Sequence, residues 1–182
     1  MLTYRIWVQA HPIFSAALQF ALLGTLGELL AAGLRARRAT LPCPLPQLLA
    51  KVLAWAVLGV VIKAGFVGMR GFTKALLEHG MLPEFMASGL GFAFALSTLT
   101  NLFFGPQMML FHRLEDNLIL RRQGYEGMDQ ALWTLLWFWI PAHTLTFALP
   151  VDFQIGLAAI WSVVLGVILG TAAGRRTEAV RG

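Results

Sequence analysis

The apolar stretch from Leu132 to Pro150 constrains this chain more than any other segment. It holds about 19 residues without an acidic or strongly basic side chain, which is enough for a helix to cross a lipid bilayer. Near its middle lie a helix breaker, Pro141, and an ionisable ring, His143. Pro141 leaves a backbone carbonyl without its helical hydrogen bond. In lipid, neighbouring helices or water must supply hydrogen-bond partners for this carbonyl and for the imidazole. We therefore predict a membrane-spanning helix with one face against protein or water.

The composition extends this prediction to the whole chain. Apolar residues make up 58% of the 182 residues and charged residues only 13%, whereas soluble domains carry about 25% charged residues. Mean hydropathy is +0.70. We expect an all-α fold, a polytopic bundle of transmembrane helices that forms one domain over residues 1–182. Because Cys43 is the only cysteine, an internal disulfide is excluded and no cysteine-based metal site is indicated.

Five apolar runs predict about five spans. We place these spans at about residues 13–34, 52–69, 85–104, 132–149 and 153–173. Gly105 and Pro106 predict a break after the third span, and the mixed segment that follows predicts an amphipathic interfacial helix carrying His112 and Asp116. An alternative has four spans plus a re-entrant or interfacial helix, with the re-entrant turn at Pro141.

Basic residues are distributed unequally between the two sides of the five-span topology. With the N-terminus outside, the outer segments hold only Arg5, Arg70 and Lys74, and most other basic residues lie on inner segments. Loops rich in lysine and arginine stay on the cytoplasmic side. We expect a cytoplasmic C-terminus and a location in the bacterial cytoplasmic membrane. The net charge of +5 then reflects membrane orientation, and no nucleic-acid partner is expected.

Glu28 and Lys63 are the most informative polar residues, because each lies within an apolar run. Each would cost about 3 kcal/mol or more if it remained charged in lipid. Three interpretations remain open. The two side chains line a solute path, form a buried ion pair between the first two spans, or reach back to the membrane interface.

Four further polar residues lie in apolar surroundings: Asn101, His143, Thr144 and Thr146. His143 is either a proton switch or a neutral ring bonded to a backbone carbonyl freed by Pro141. Asn101 is expected to cap a helix or to bond across helices. We expect the two threonines to bond to the backbone of their own helix.

Gly166, Gly170 and Gly174 recur at every fourth position of the last run, on one helix face. Small residues at this spacing let another backbone approach closely. We expect this face to pack against the third span, where the segment Gly89–Ser97 has small residues at the same spacing. Contact between two copies of the chain is the alternative.

Catalytic motifs are absent from the sequence. It contains no nucleophile elbow, zinc-protease motif or phosphate-binding glycine loop. His112 and Asp116 share a helix face but offer too few ligands for a metal. We expect no metal, no cofactor and no enzymatic activity, and an intramembrane enzyme using His143 or His112 is the least favoured class.

The segment Trp137–Pro150, WFWIPAHTLTFALP, resembles the late tryptophan-and-proline motif of the Mpv17/PMP22 family of small membrane proteins. The residues that carry this resemblance are Trp137, Trp139, Pro141, Phe147 and Pro150. Weaker matches are His11–Pro12, Gly27–Glu28, Gly105–Pro106 with Phe111, His112 and Asp116, and Trp161. The chain departs from the family where His143, Thr144 and Thr146 replace its glutamine and asparagine. It departs again because Gly105–Pro106 lies too close to the motif for another span between them.

The resemblance implies a divergent, bacterial member of a family proposed to form channels for small solutes. We accordingly predict a channel or permeation pathway for small solutes, in which Glu28, Lys63, Asn101 and His143 meet inside the bundle. The alternative is a non-transporting structural or assembly subunit of a membrane complex. The expected partners are the lipid bilayer and either a second copy of the chain or another membrane protein.

Overall fold

The computed structural model describes the backbone of residues 2–179 and the side chains of residues 2–168 and 171. Within this part the chain is helical and contains no strand, which confirms the predicted all-α class. The helices are α1 Leu2–Ala10, α2 Pro12–Ala36, α3 Leu45–Glu78, α4 Gly89–Leu99, α5 Gly105–Leu120, α6 Met128–Thr134, α7 Ile140–Ala148 and α8 Val151–Ala179. A short 3-10 turn, Glu84–Met86, precedes α4.

Three helices in the described part are long and apolar enough to cross a membrane. They are α2, α3 and the Val151–Ile168 portion of α8. The predicted second span, 52–69, lies inside the longer helix α3, which extends beyond it at both ends. The remaining predicted spans, 85–104 and 132–149, fall on helices that π-helical segments interrupt, at Thr100–Phe104 and Leu135–Trp139.

Each π-helical segment comes just before a proline. Pro106 and Pro141 lie in the first turns of α5 and α7. A proline inside a helix removes one hydrogen bond and crowds the preceding turn. A wider π turn relieves this conflict, and the helix continues. The predicted break at Gly105–Pro106 is therefore wrong, because residues 89–120 form one continuous helical path instead of a span followed by a separate surface helix.

Helix α2 lies at the centre of the bundle and packs along both α3 and α8. Its Gly27 meets Gly166 of α8, and a Cβ atom on Gly166 would lie only 2.9 Å from the Gly27 carbonyl oxygen. The prediction that Gly166 packs against the third span is thus wrong, because α4 packs on α7 instead. The surroundings of Gly170 and Gly174 lie outside the described part of the structure.

The buried core joins aromatic and small residues from α2, α3, α4, α7 and α8. Its members include Phe20, Phe66, Leu96, Phe147 and Ala159. Large apolar side chains also point outward from the helices, among them Leu22, Leu53, Val67, Leu145 and Ile160. An outer surface of this kind is compatible with contact to lipid and unfavourable in water.

Candidate functional site

Three charged side chains meet near one end of the bundle. The Lys51 ammonium lies 2.7 Å from Glu28 Oε2 and 2.7 Å from Asp116 Oδ1. The Lys51 side chain is only 6% exposed, so it depends on these two partners instead of on water. We name Glu28, Lys51 and Asp116 the charged cluster. Because two carboxylates share one ammonium, the cluster carries a formal excess of one negative charge.

Two aromatic rings adjoin the charged cluster. Trp55 Nε1 donates a hydrogen bond of 2.8 Å to Glu28 Oε1. The Trp55 and His112 ring centroids are 4.8 Å apart. The indole fits against α2 because residue 24 is glycine, and a Cβ atom at Gly24 would collide with the Trp55 ring. The positions of Glu28 and Trp55 therefore follow from close packing of α2 on α3.

Glu28, His112 and Asp116 each offer a ligand atom, and these atoms lie within 4.8 Å of one another. A metal ion could be held at such a spacing, but the Lys51 ammonium already bonds both carboxylates. The expected absence of a metal site stays a prediction. His112 and Asp116 both contact α3, at Trp55 and Lys51. Their place on an interfacial helix stays a prediction.

Glu28 does not meet Lys63, which sequence reasoning offered as its partner. Helices α2 and α3 are antiparallel, and Ala16 lies against Gly59 while Gly24 lies against Trp55. This register places Glu28 opposite Lys51. Lys63 is three turns further along α3, about 18 Å away along the helix axis. Lys63 lies toward the opposite end of the bundle, near enough to Asp152 for an electrostatic interaction.

Asn101 and His143 do meet, at the level of the two π-helical segments. Asn101 Nδ2 lies 3.1 Å from His143 Nδ1 and 2.8 Å from the Ser97 carbonyl oxygen. An amide N–H only donates, so His143 Nδ1 is the accepting nitrogen. The Nδ1 atom of this imidazole therefore accepts from a side chain of another helix. Asn101 is 1% exposed, so the pair lies within the bundle.

One hydroxyl group joins α4 to α7, and two others bond within α7. Ser97 Oγ donates to the Ile140 carbonyl oxygen at 2.7 Å. Thr144 and Thr146 donate to the carbonyls of Ile140 and Ala142, one turn earlier in their own helix. The two threonines thus have the backbone partners that the sequence interpretation assigned to them, and neither donates a hydrogen bond to another helix.

Two adjoining cavities remain between the helices. The larger, which we name the central cavity, has a volume of about 300 Å³, and the smaller has a volume of about 70 Å³. Both are bordered by Ile62, Met108, Met109, Trp139 and Ser162. Glu28 and His112 border the central cavity, whereas Asn101 and His143 border the smaller one. The charged cluster and the Asn101–His143 pair therefore border two adjoining cavities with mainly apolar walls.

Buried polar atoms without a hydrogen-bond partner occur along these cavities. Within the described part of the chain they include His112 Nδ1, Trp139 Nε1 and Thr100 Oγ1. His112 and Trp139 border the central cavity, and Trp139 and Thr100 border the smaller one. An unpaired buried polar group costs free energy, so such groups call for an explanation.

A second group of polar contacts, away from the charged cluster, joins α1 and α3 to the first turn of α8. Arg5 Nε and Gln9 Nε2 of α1 both donate to Asp152 Oδ2 of α8, at 2.9 Å and 3.0 Å. Arg70 Nη2 donates to Gln154 Oε1 at 3.1 Å. These contacts hold α1 and α3 to the first turn of α8. None of the residues in these three pairs borders either cavity.

Sequence reasoning missed Lys51 and Trp55 as members of the site. The predicted second span begins at residue 52 and leaves Lys51 outside it, but α3 begins at Leu45 and includes Lys51 in its second turn. Pro46 was the available signal, because proline is favoured in the first turn of a helix. With that start, a tight antiparallel pairing of α2 and α3 would have set Lys51 against Glu28.

Comparison with known proteins finds no relative of this chain. No protein-family model matches it, no curated protein matches it and no solved structure matches it. The resemblance of Trp137–Pro150 to the Mpv17/PMP22 motif therefore stays a prediction.

Proposed function

We propose that this chain forms a narrow permeation pathway for small solutes across a membrane. The observation that carries the proposal is the pair of adjoining cavities between the charged cluster and the Asn101–His143 pair. The walls are mainly apolar, so a wide water-filled pore is not part of the proposal. The pathway suits solutes that shed most of their water and exchange it for a few polar contacts.

Five membrane crossings are part of this proposal. The path through α4 and α5 covers residues 89–120, about 48 Å at the rise of an α-helix. The path through α6 and α7 covers residues 128–148, about 31 Å, which matches the hydrocarbon thickness of a bilayer. Together with α2, α3 and α8 these paths make five spans.

The orientation is proposed from the same arrangement. Cys43 interacts electrostatically with Asp116 and Arg122, so the loop between α2 and α3 lies beside the end of α5. Arg35, Arg37 and Arg38 lie at this end of the bundle as well. A basic end of this kind is typical of the cytoplasmic side. The proposed location is the bacterial cytoplasmic membrane, with the N-terminus outside and the C-terminus in the cytoplasm.

Labelling of Cys43 tests this orientation. Burial raises the pKa of the Cys43 thiol, so the reaction needs a mildly alkaline buffer. We expect a membrane-impermeant maleimide to leave Cys43 unmodified in intact spheroplasts and to modify it after permeabilisation. The matched control combines Cys43→Ser with Ser88→Cys, at an exposed position between α3 and α4. The control cysteine should react in intact spheroplasts, and the reverse pattern would contradict the proposed orientation.

Solute flux into liposomes tests the function. We expect liposomes with the purified protein to take up glycerol and choline faster than protein-free liposomes of the same lipid. Glu28→Gln removes a negative charge beside the central cavity. It should slow choline entry about fivefold, the equivalent of about 1 kcal/mol, and affect glycerol less. The measurement is stopped-flow light scattering for glycerol and radiolabelled uptake for choline.

Lys63→Met is the matched control for this experiment. It also removes a charge from a helix of the bundle, but Lys63 borders neither cavity. Its uptake rates should equal those of the parent protein. Uptake at the rate of protein-free liposomes for every solute would reject the pathway.

One observation favours a different function, that of a non-transporting structural or assembly subunit. The Lys51 ammonium bonds both carboxylates of the charged cluster, as expected for side chains that fix helix packing. This reading predicts no flux, a Glu28→Gln protein that is merely less stable, and a larger membrane complex after mild extraction.

A further inference from the structure

The central cavity has the size and lining of a ligand site. Its volume of about 300 Å³ falls at the lower end of the range for pockets that bind small molecules, about 300–1,000 Å³. Its wall is formed mainly by aliphatic side chains, methionines and glycines, among them Leu58, Met109 and Gly27. Such a wall favours an apolar molecular body over a hydrated ion.

The polar end of the cavity favours a cation. Glu28 borders the cavity, and behind it the charged cluster has two carboxylates for one ammonium. Glu28 already accepts from the Lys51 ammonium and from Trp55 Nε1, so a ligand ammonium would share the carboxylate with these two donors. Charge-assisted hydrogen bonds between an ammonium and a carboxylate are about twice as strong as neutral ones.

Two tryptophans add to this preference. Trp55 and Trp139 both border the central cavity. Aromatic rings attract ammonium groups, and they are typical of sites that bind quaternary ammonium ligands. Trp55 Nε1 donates to Glu28, so the edge of this indole and the carboxylate lie side by side at the cavity.

Two unpartnered atoms indicate further contacts. His112 Nδ1 and Trp139 Nε1 are buried and lack a hydrogen-bond partner within the described part of the chain, and both residues border the cavity. An indole N–H can only donate, so an acceptor atom on a ligand would satisfy it. An imidazole nitrogen accepts from an ammonium or donates to an oxygen.

We propose that the central cavity binds a small organic ammonium compound, with its apolar body along the cavity wall and its ammonium group at Glu28, His112 and Trp55. The inference names the solute class of the proposed pathway and in that sense rests on the proposed function. A ligand with a hydrogen-bond acceptor on its body would also satisfy Trp139.

Equilibrium binding to the purified protein in detergent tests this inference without a membrane. The probe is radiolabelled 2-phenylethylamine, and 2-phenylethanol is the uncharged competitor of nearly the same shape. We expect saturable binding of the amine, and competition by the alcohol only at concentrations about tenfold higher or more, the usual effect of losing a charged hydrogen bond. Equal competition by amine and alcohol would overturn the ammonium site.

Two variants test the Glu28 charge and the volume of the central cavity separately. Glu28→Gln should weaken amine binding about tenfold or more and leave competition by the alcohol nearly unchanged. Ala131→Phe places a ring in the central cavity from α6 and should abolish binding of both compounds, while the charged cluster is unaltered. Lys63→Met, away from the cavity, should bind both compounds as the parent does. Unchanged amine binding in Ala131→Phe would overturn the proposed location.

Binding and flux together distinguish the two proposals. Amine binding without flux of any solute would support the site and reject the pathway. Glycerol flux without saturable amine binding would keep the pathway and overturn the ammonium site. Flux of the permanently charged trimethyl derivative of the probe, blocked in Ala131→Phe, would support both.

Discussion

Replacing Lys51 with methionine is expected to destabilise the folded protein by about 3–5 kcal/mol, the usual cost of leaving a buried charge without its partner. The Lys51 side chain is 6% exposed and holds two carboxylates that are themselves mostly buried. Without the ammonium, Glu28 and Asp116 repel each other in a poorly solvated site. The measurement is the free energy of unfolding, from denaturant titration in mixed micelles followed by tryptophan fluorescence.

The charges, not the bulk of the lysine, should account for this loss. Adding Glu28→Gln and Asp116→Asn to Lys51→Met removes the repulsion and should restore most of the stability, because replacing a whole buried ion group is often nearly neutral. Lys63→Met, in the same helix, should change the free energy of unfolding by about 0.5 kcal/mol or less. A cost below about 1 kcal/mol for Lys51→Met would mean that the cluster behaves as an exposed surface pair.

The helical class of the fold could be predicted from the sequence because apolar runs of membrane-spanning length leave few other solutions. The continuity of residues 89–120 could not be predicted in this way. Gly105 and Pro106 are typical of a helix end, and only the structure reveals the π-helical turn Thr100–Phe104 that accommodates the proline. Local residue preferences do not report such a change of helical pitch.

The site was predictable to the extent that polar residues in apolar runs must find partners. Asn101 and His143 were both identified, and they contact each other. Glu28 was identified as well, but its partner depends on the register between α2 and α3. That register follows from small residues at the helix contact, such as Gly24 and Gly59, and not from the charges themselves. The cavities arise from the packing of several helices, so no single segment contains a signal for them.

Gly59 provides the sharpest test of this register. A Cβ atom at Gly59 would lie 2.5 Å from the Ala16 carbonyl oxygen and 2.8 Å from Phe20 Cβ, both on α2. A backbone carbonyl cannot move aside as a side-chain tip can, so Gly59→Ala must push the two helices apart. We expect a loss of about 1–3 kcal/mol in the free energy of unfolding, in the range for overpacked interiors. Denaturant titration in mixed micelles measures it.

Gly68→Ala is the matched control, because Gly68 lies in the same helix and a Cβ atom there would meet nothing within 4 Å. Alanine is the better helix former by about 1 kcal/mol, so this variant should be as stable as the parent or more stable. The two identical substitutions in α3 should therefore have effects of opposite sign. If both variants were stabilised, α2 and α3 would not approach each other at Gly59, and the register that brings Lys51 to Glu28 would be refuted.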